Sequence, residues 1–304
     1  MHLVSRAAAP FDDVWAWSVI RAFADLARAG RAPATRAGFD WDDERGLVPV
    51  PAERAELVVD PCSEPCLNSA LRLTPSVRQL FELYLPLCIG PSAATLVLGH
   101  VGQSLDGQIA TAAGASRYVT GPENIVHMHR LRSLVDAVIV GAGTVLADDP
   151  ELTTRLVPGP HATRVVIDPT LRLPGARKLF QGSAAKTLIA CARSAVPTAA
   201  AAHVERVPVG VEDGRLRLPE LLAALSARGL RRVFVEGGGV TISRFIEADC
   251  LDRLHVTICP ILIGRGRPGI SLAGVERLEQ ARRPRARRFT LGEDVLFDCQ
   301  MRLR

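Results

Sequence analysis

The chain has 304 residues, of which 48% are hydrophobic and 23% charged, with 25 glycines and 21 prolines. That balance excludes a disordered chain, collagen and a coiled coil, and the length allows two domains with cores of their own. The formal charge is +5 and is almost all arginine, since only Lys178 and Lys186 are lysines; so modest an excess suits a protein that holds phosphates and does not by itself argue for nucleic acid.

The opening Met1-His2-Leu3-Val4-Ser5-Arg6 lacks the apolar core of a secretory signal. No stretch supplies the ~18 consecutive apolar residues of a membrane span, so a soluble cytoplasmic protein is expected. Residues 14–29 place Val14, Trp17, Ile20 or Arg21 and Ala24 near one face of an amphipathic helix, ended by Gly30 and Pro33. A polar, Pro-rich stretch follows. It contains Pro61-Cys62-Ser63-Glu64-Pro65-Cys66, the only close pair among seven cysteines whose odd number and scatter read as reduced thiols. Zinc deaminases use Pro-Cys-x-x-Cys with an upstream His-x-Glu. Here the spacing is three, and the one such tripeptide, His203-Val204-Glu205, lies far downstream, so no metal is expected. Residues 77–87 suit a second helix, and Gly90-Pro91-Ser92 breaks the pattern. The expected division is an N-terminal extension over 1–91, mainly helical, and a second domain over 92–304.

From residue 95 the rhythm becomes strand, helix, strand. Apolar runs at 95–101, 137–140, 164–167, 187–192 and 232–235 read as buried strands, and 123–134, 218–228 and 241–247 as helices. This alternation predicts an α/β fold with a mostly parallel sheet. A long strand over 253–263 and a hairpin of 287–292 with 295–303, turning at Glu293-Asp294, predict an antiparallel C-terminal edge.

Three glycine-rich turns could cradle phosphates. Gly264-Arg265-Gly266-Arg267-Pro268-Gly269 matches G-x-G-x-x-G, but Pro268 and Gly269 discourage the helix that a dinucleotide fingerprint needs, and a loop is expected. Glu236-Gly237-Gly238-Gly239 stands between a strand and a helix, where backbone N–H groups meet a pyrophosphate. Gly141-Ala142-Gly143-Thr144 has the same setting, and the two together point to one dinucleotide across several strand ends. Ser104-Leu105-Asp106-Gly107 is a turn or a loop over a ligand, and the residues leave both readings open. The basic run 282–288 reads as a solvated loop, because no aromatics interleave it.

Ser104-Leu105-Asp106-Gly107-Gln108-Ile109-Ala110, Ser116-Arg117-Tyr118-Val119-Thr120, and Thr144-Val145-Leu146-Ala147-Asp148-Asp149-Pro150-Glu151-Leu152-Thr153 resemble the reductase domain of the bacterial riboflavin-biosynthesis deaminase/reductase family. Glu236-Gly237-Gly238-Gly239 and Pro260-Ile261-Leu262-Ile263-Gly264 continue the match, which covers about residue 95 to the end. The resemblance implies a dihydrofolate-reductase-like fold that binds NADPH and reduces the ribosyl group of 5-amino-6-(5-phosphoribosylamino)uracil to ribityl, as a homodimer. By motif position, Gly102, Tyr118, Thr144, Asp148, Gly238, Gly239, Val240, Thr241, Ile242, Ser243 and Arg244 would contact the cofactor, with Arg193 on the 2′-phosphate. His100, Ser104, Ser116, Arg132, Leu152, Arg155 and Glu236 would contact the substrate, Arg132 and Arg155 as phosphate clamps. Asp106 and Glu236 are the candidate proton donors, beside bound water.

Three departures stand out. The family's usual N-terminal deaminase lacks its His-x-Glu here, so the extension should not deaminate. His100 stands where a Lys usually meets the pyrimidine, and Tyr118 where a Trp is frequent. Two rivals stay open: a reductase of a pterin or another modified pyrimidine, and a non-catalytic nucleotide-binding protein.

Overall fold

A computed structural model describes residues 11–117, 119–196 and 204–302. The chain divides into two compact units between Ala94 and Thr95.

In the first unit, α1 (Asp13–Arg28) starts where the Asp12 carboxylate accepts the Trp15 N–H at 2.8 Å, and it buries Trp17, Ile20, Phe23 and Ala24. The Pro-rich stretch is not merely connecting chain. It forms a four-stranded antiparallel sheet of β1 (Ala37–Asp42), β2 (Gly46–Val50), β3 (Leu57–Val59) and β4 (Leu67–Ser69), in the order β2-β1-β3-β4. The strands are three to six residues long, too short for a period of two to stand out. Helix α2 (Pro75–Tyr84) begins two residues before the expected start, because Thr74 caps it and Pro75 takes the first helical position. A single 3₁₀ turn, Leu85–Leu87, completes it. Cys62 is exposed, Cys66 is buried, and neither is in a disulfide.

The second unit is built on a nine-stranded sheet. Its strands are β5 (Leu96–Ser104), β7 (Ala137–Gly141), β8 (Thr163–Ile167), β9 (Thr187–Ala192), β10 (Glu205–Val209), β13 (Arg232–Val235), β14 (Arg253–Cys259), β16 (Arg285–Leu291) and β17 (Asp294–Gln300). The order is β10-β9-β8-β7-β13-β5-β14-β17-β16; every pairing from β10 to β14 is parallel, and β17 and β16 add antiparallel. The mostly parallel sheet with its antiparallel C-terminal edge is thus as expected. Between strands lie β6 (Gln108–Thr111), α3 (Pro122–Leu134), α4 (Ala142–Asp148), α5 (Lys178–Gln181), the small hairpin β11 (Val211–Glu212) and β12 (Arg215–Leu216), α6 (Leu218–Ser226), α7 (Gly239–Glu247) and β15 (Gly266–Pro268). The central strands are apolar on both faces: Val138, Ile139, Val165, Leu188 and Phe234 are fully buried. No helix among the described residues is long and apolar enough to cross a membrane.

Four expectations are corrected. The strand expected over 253–263 stops at Cys259, because Pro260 has no N–H for the ladder. The G-x-G-x-x-G run opens no helix, as expected, but it is not a loop throughout: Gly266 begins β15, which pairs with β6, and a side chain there would strike the Ala110 carbonyl. The basic run is not a loop throughout, since Arg285 to Arg288 lie on the edge strand β16, and the hairpin turns one residue earlier than expected, at Gly292 (φ 63°) and Glu293.

Candidate active site

Parallel strands deliver their carboxyl ends to one edge of the sheet, and there the chain must turn into the next element. At the adjacent strands β7 and β13 it does so through glycine. Gly237 and Gly238 take φ values of 125° and 69°, which side chains disfavour. A Cβ on Gly238 would lie 2.7 Å from Thr144 Oγ1, and one on Gly141 would lie 2.5 Å from Thr241 Oγ1. The two turns, nearly 100 residues apart in sequence, therefore interlock, each accepting the other's threonine only because it has no side chain. They open onto a cleft of about 1670 Å³ that runs over the ends of β7, β8 and β13 to the β11–β12 hairpin.

Many of the expected residues line this cleft: Gly102, Thr144, Asp148, Gly238, Gly239, Val240, Thr241 and Arg244 of the cofactor set, and His100, Ser116, Arg132, Leu152 and Glu236 of the substrate set. Ser116 and Asp148 are joined by a hydrogen bond of 3.2 Å. Leu152 is buried with φ at 54°. Tyr118 lies outside the described residues.

The remaining expected contacts sit elsewhere, each for a physical reason. Ser104 and Asp106 do not line the cleft; they lock the β5–β6 turn. The Asp106 carboxylate accepts from Ser104 Oγ at 2.5 Å, from Ile263 N at 3.1 Å and from Gly264 N at 2.6 Å. The Ser104 bond, then these backbone donors, lower its pKa to about 2, which makes it a poor proton donor. Arg155 is exposed and turned onto Glu151 at 2.8 Å and Thr153 Oγ1 at 2.7 Å. Arg193 is paired with Glu220, whose other oxygen accepts the Gly210 N–H at 3.0 Å. Ile242 and Ser243 fall on the inward face of α7, where Ser243 Oγ donates to Gly239 O and accepts from Ser271 N.

Arg132 lines the cleft but does not stand as an uncommitted phosphate clamp. Its guanidinium grips Glu236 with Nε on Oε2 at 2.6 Å and Nη2 on Oε1, and Nη1 donates to Thr153 O at 3.0 Å. Burial works against the charge, yet Glu236 more than offsets it and the arginine's pKa is raised. Both oxygens of Glu236 are thereby occupied.

His100 is buried at the cleft wall with Nε2 at 3.0 Å from Asn124 Oδ1 and 3.2 Å from Thr257 Oγ1. Burial, with His255 nearby, pushes its pKa down to about 3, so the ring is neutral at pH 7. Behind it His127 Nε2 meets His255 Nδ1 at 3.1 Å, and His255 faces Asp298 at 3.4 Å.

Sequence reasoning passed over Asn124, Arg172, Arg215 and Arg267, all of which line the cleft. One signal was available: Asp213-Gly214 is a two-residue turn, and its φ values of 48° and 71° make the tight hairpin that presents Arg215. The others reach the site through tertiary contacts.

A family model described as the RibD C-terminal domain matches residues 95–297. The chain is 35% identical over 210 residues to the 2,5-diamino-6-ribosylamino-4(3H)-pyrimidinone 5′-phosphate reductase of Methanothermobacter thermautotrophicus, covering 66% of this chain and 96% of that one. It is 32% identical over 197 residues to riboflavin biosynthesis protein RibD of Aquifex aeolicus, covering 64% of this chain and 54% of that one, so it spans about half of that relative's length. Acinetobacter baumannii RibD shares the fold with a TM-score of 0.62 at 24% identity, over 75% of this chain and 62% of that one. The residues that the family model matches lie within the second unit, and the chain belongs to the RibD C-terminal domain family.

Proposed function

We propose that the second unit is an NADPH-dependent reductase of a 5′-phosphorylated ribosylaminopyrimidine, the reductive step of riboflavin biosynthesis, in which the ribosyl group becomes ribityl. The interlocked glycine turns carry this reading: they leave backbone N–H groups at the α7 N-terminus uncovered by side chains, at the mouth of a cleft of about 1670 Å³. That volume exceeds the ~300–1,000 Å³ usual for one small ligand and leaves room for a dinucleotide and a substrate side by side.

When bound, the nicotinamide supplies a hydride to C1′ of the opened sugar, reached as an imine. The imine nitrogen takes a proton, and the products are a ribityl amine and the oxidised dinucleotide. This chain's part is to hold the two carbons in contact and to screen them from water. Gly238, Thr144 and Thr241 hold the pyrophosphate. Glu236, fixed by Arg132, orients the sugar hydroxyls. Among the described residues Arg267 lines the cleft without a carboxylate partner, and in this reading it meets the sugar phosphate in place of Arg155. Because Asp106 is tied into the turn and Glu236 is held by Arg132, water is the proton source.

Two forms of the base are possible, a uracil or a 2-aminopyrimidinone, the latter being the form in the name of the Methanothermobacter relative. His100 favours the second. The Asn124 carbonyl can only accept, so Nε2 of the neutral ring donates to it and Nδ1 is left as an acceptor. An acceptor suits an amino group, whereas a lysine suits a carbonyl. Exposed Leu262, Leu272 and Leu278, on the segment between β14 and β16, support a homodimer, which light scattering would test. The same reading takes in a cytoplasmic setting without nucleic-acid or membrane partners.

The deciding experiment is NADPH oxidation with each phosphoribosylaminopyrimidine and with dihydrofolate. Turnover is expected with a pyrimidine, faster with the 2-amino form. Turnover with dihydrofolate alone would make it a different reductase, and tight dinucleotide binding without turnover on any of them would make it a binding protein.

A further inference from the structure

Among the described residues six arginines line the cleft, and they divide by what they face. Arg132 holds Glu236, Arg172 faces Asp168 at 3.6 Å, and Arg217 faces Glu212 at 3.8 Å. The side chains of Arg215, Arg244 and Arg267 make no hydrogen bond or ion pair among the described residues. Arg215 and Arg244 line the same cleft, and each feels the other's charge. Burial lowers the Arg244 pKa and the next largest cause is the positive charge of Arg215, ahead of the compensation from Glu247. The Arg244 Nε is enclosed and has no acceptor. Glu212 pairs with Arg215 across the hairpin backbone, but its carboxylate is turned to Arg217. Two like charges held together beside an unsatisfied donor are costly unless an anion completes them.

We propose that Arg215 and Arg244 form the subsite for the 2′-phosphate of the adenosine half of the dinucleotide, and so set the preference for NADPH over NADH. The proposal rests on the cleft being a dinucleotide site, as argued above, and adds which residues select the phosphorylated form. Placement along the cleft separates this anion from the others. The pyrophosphate position at the α7 N-terminus is five residues from Arg244, about 7.5 Å at 1.5 Å per residue. The β11–β12 hairpin follows directly on β10, at the far edge of the sheet, whereas Arg267 on β15 adjoins β6 and β5. Arg267 precedes Pro268, whose carbonyl a Cβ on Gly239 would strike, so it stands by the α7 N-terminus, while Arg244 lies further along that helix and Arg215 on the hairpin after β10. Arg193, the position that family resemblance favours for this role, is neutralised by Glu220.

Two guanidiniums aimed at one phosphate hold it by charge-assisted hydrogen bonds, each enough for about a 10-fold change in affinity. The test is calorimetric binding of NADPH, NADH, 2′-AMP and 5′-AMP to the full chain and to R215A, R244K and R193A. Wild type should prefer NADPH, and 2′-AMP over 5′-AMP. R215A should cut that preference about 10-fold or more by weakening NADPH alone, with NADH affinity unchanged. R244K, which keeps the charge but not the fork, should give a smaller loss in the same direction, and R193A should leave the ratio where it was. R215A sits on an exposed hairpin, and far-UV circular dichroism checks its fold; should R215A fail to fold, R215Q serves in its place. An NADPH-to-NADH ratio unmoved by either Arg215 variant and by R244K overturns the proposal while leaving the dinucleotide reading intact. Wild type that binds neither dinucleotide overturns both.

Discussion

Gly238 shows how a single atom decides whether the cleft can form. Alanine there has to adopt φ near 69° and place its Cβ 2.7 Å from Thr144 Oγ1. Strain of that kind costs about 1–3 kcal/mol. G238A should therefore weaken dinucleotide binding about 10-fold or more, measured by titration calorimetry, and lower the urea midpoint; T144A in the same chain should recover part of the midpoint loss, since it removes the collision and leaves the dihedral strain. Equal losses in the single and double variants would mean that the two turns do not interlock. At Asp106 the opposite result is expected. Its carboxylate is spent on two backbone donors and a hydroxyl, so D106N should keep kcat within a few-fold of wild type, where loss of a general acid costs about 10²–10⁴-fold. Its pKa is depressed in the folded chain, so its share of stability is present above the ordinary value of 3.8 and is lost as the pH falls toward 2.

Between elements, the Arg132–Glu236 pair ties the last turn of α3 to the turn after β13, with both side chains only 11% exposed. Removing one member of so sheltered a pair leaves the other charge uncompensated, an effect of about 3–5 kcal/mol for fully buried pairs and less here. E236Q should lower the urea midpoint more than R132Q and E236Q together do; additive losses would show that the pair contributes no coupling. The sequence showed the strands through continuous apolar runs such as 137–140, and showed the glycine turns because Gly sits directly between strand and helix. It did not show that Arg132 would meet Glu236, or that Arg193 would meet Glu220, because a charge's partner depends on which strands become neighbours. The same limit explains Arg155 and Ser104: the family motif placed them in the right segments, but their side-chain directions come from hydrogen bonds to Glu151 and Asp106. In the first unit the helices were legible from their apolar faces, whereas strands of three to six residues broken by proline were not.

Across the second unit, neutral histidines join four elements: His100 on β5, His127 and His129 on α3, and His255 on β14, with Asp298 on β17 behind them. Asp298 is held ionised: burial opposes its charge, but His255, Arg253 and Arg287 surround the carboxylate. Burial leads the causes that lower the histidine pKa values, to about 3 for His100 and about 4 for His129, with neighbouring positive groups adding to it. For such a group the unfolded chain binds the proton first. Stability is then fully present above the unfolded value of 6.5 and falls as the pH drops from there toward the folded value. For His100 alone the loss at pH 5 is on the order of 2 kcal/mol, a sizeable share of a domain's total. Urea unfolding at pH 7.5, 6 and 5 should therefore show the midpoint falling well above the range where carboxylates titrate. H100Q, which cannot take up a proton, is less stable at pH 7.5 but should lose about 2 kcal/mol less than wild type between pH 7.5 and 5. Parallel curves for the two proteins would show that His100 takes up its proton as readily in the folded chain as in the unfolded one, so that burial does not hold the ring neutral at pH 5.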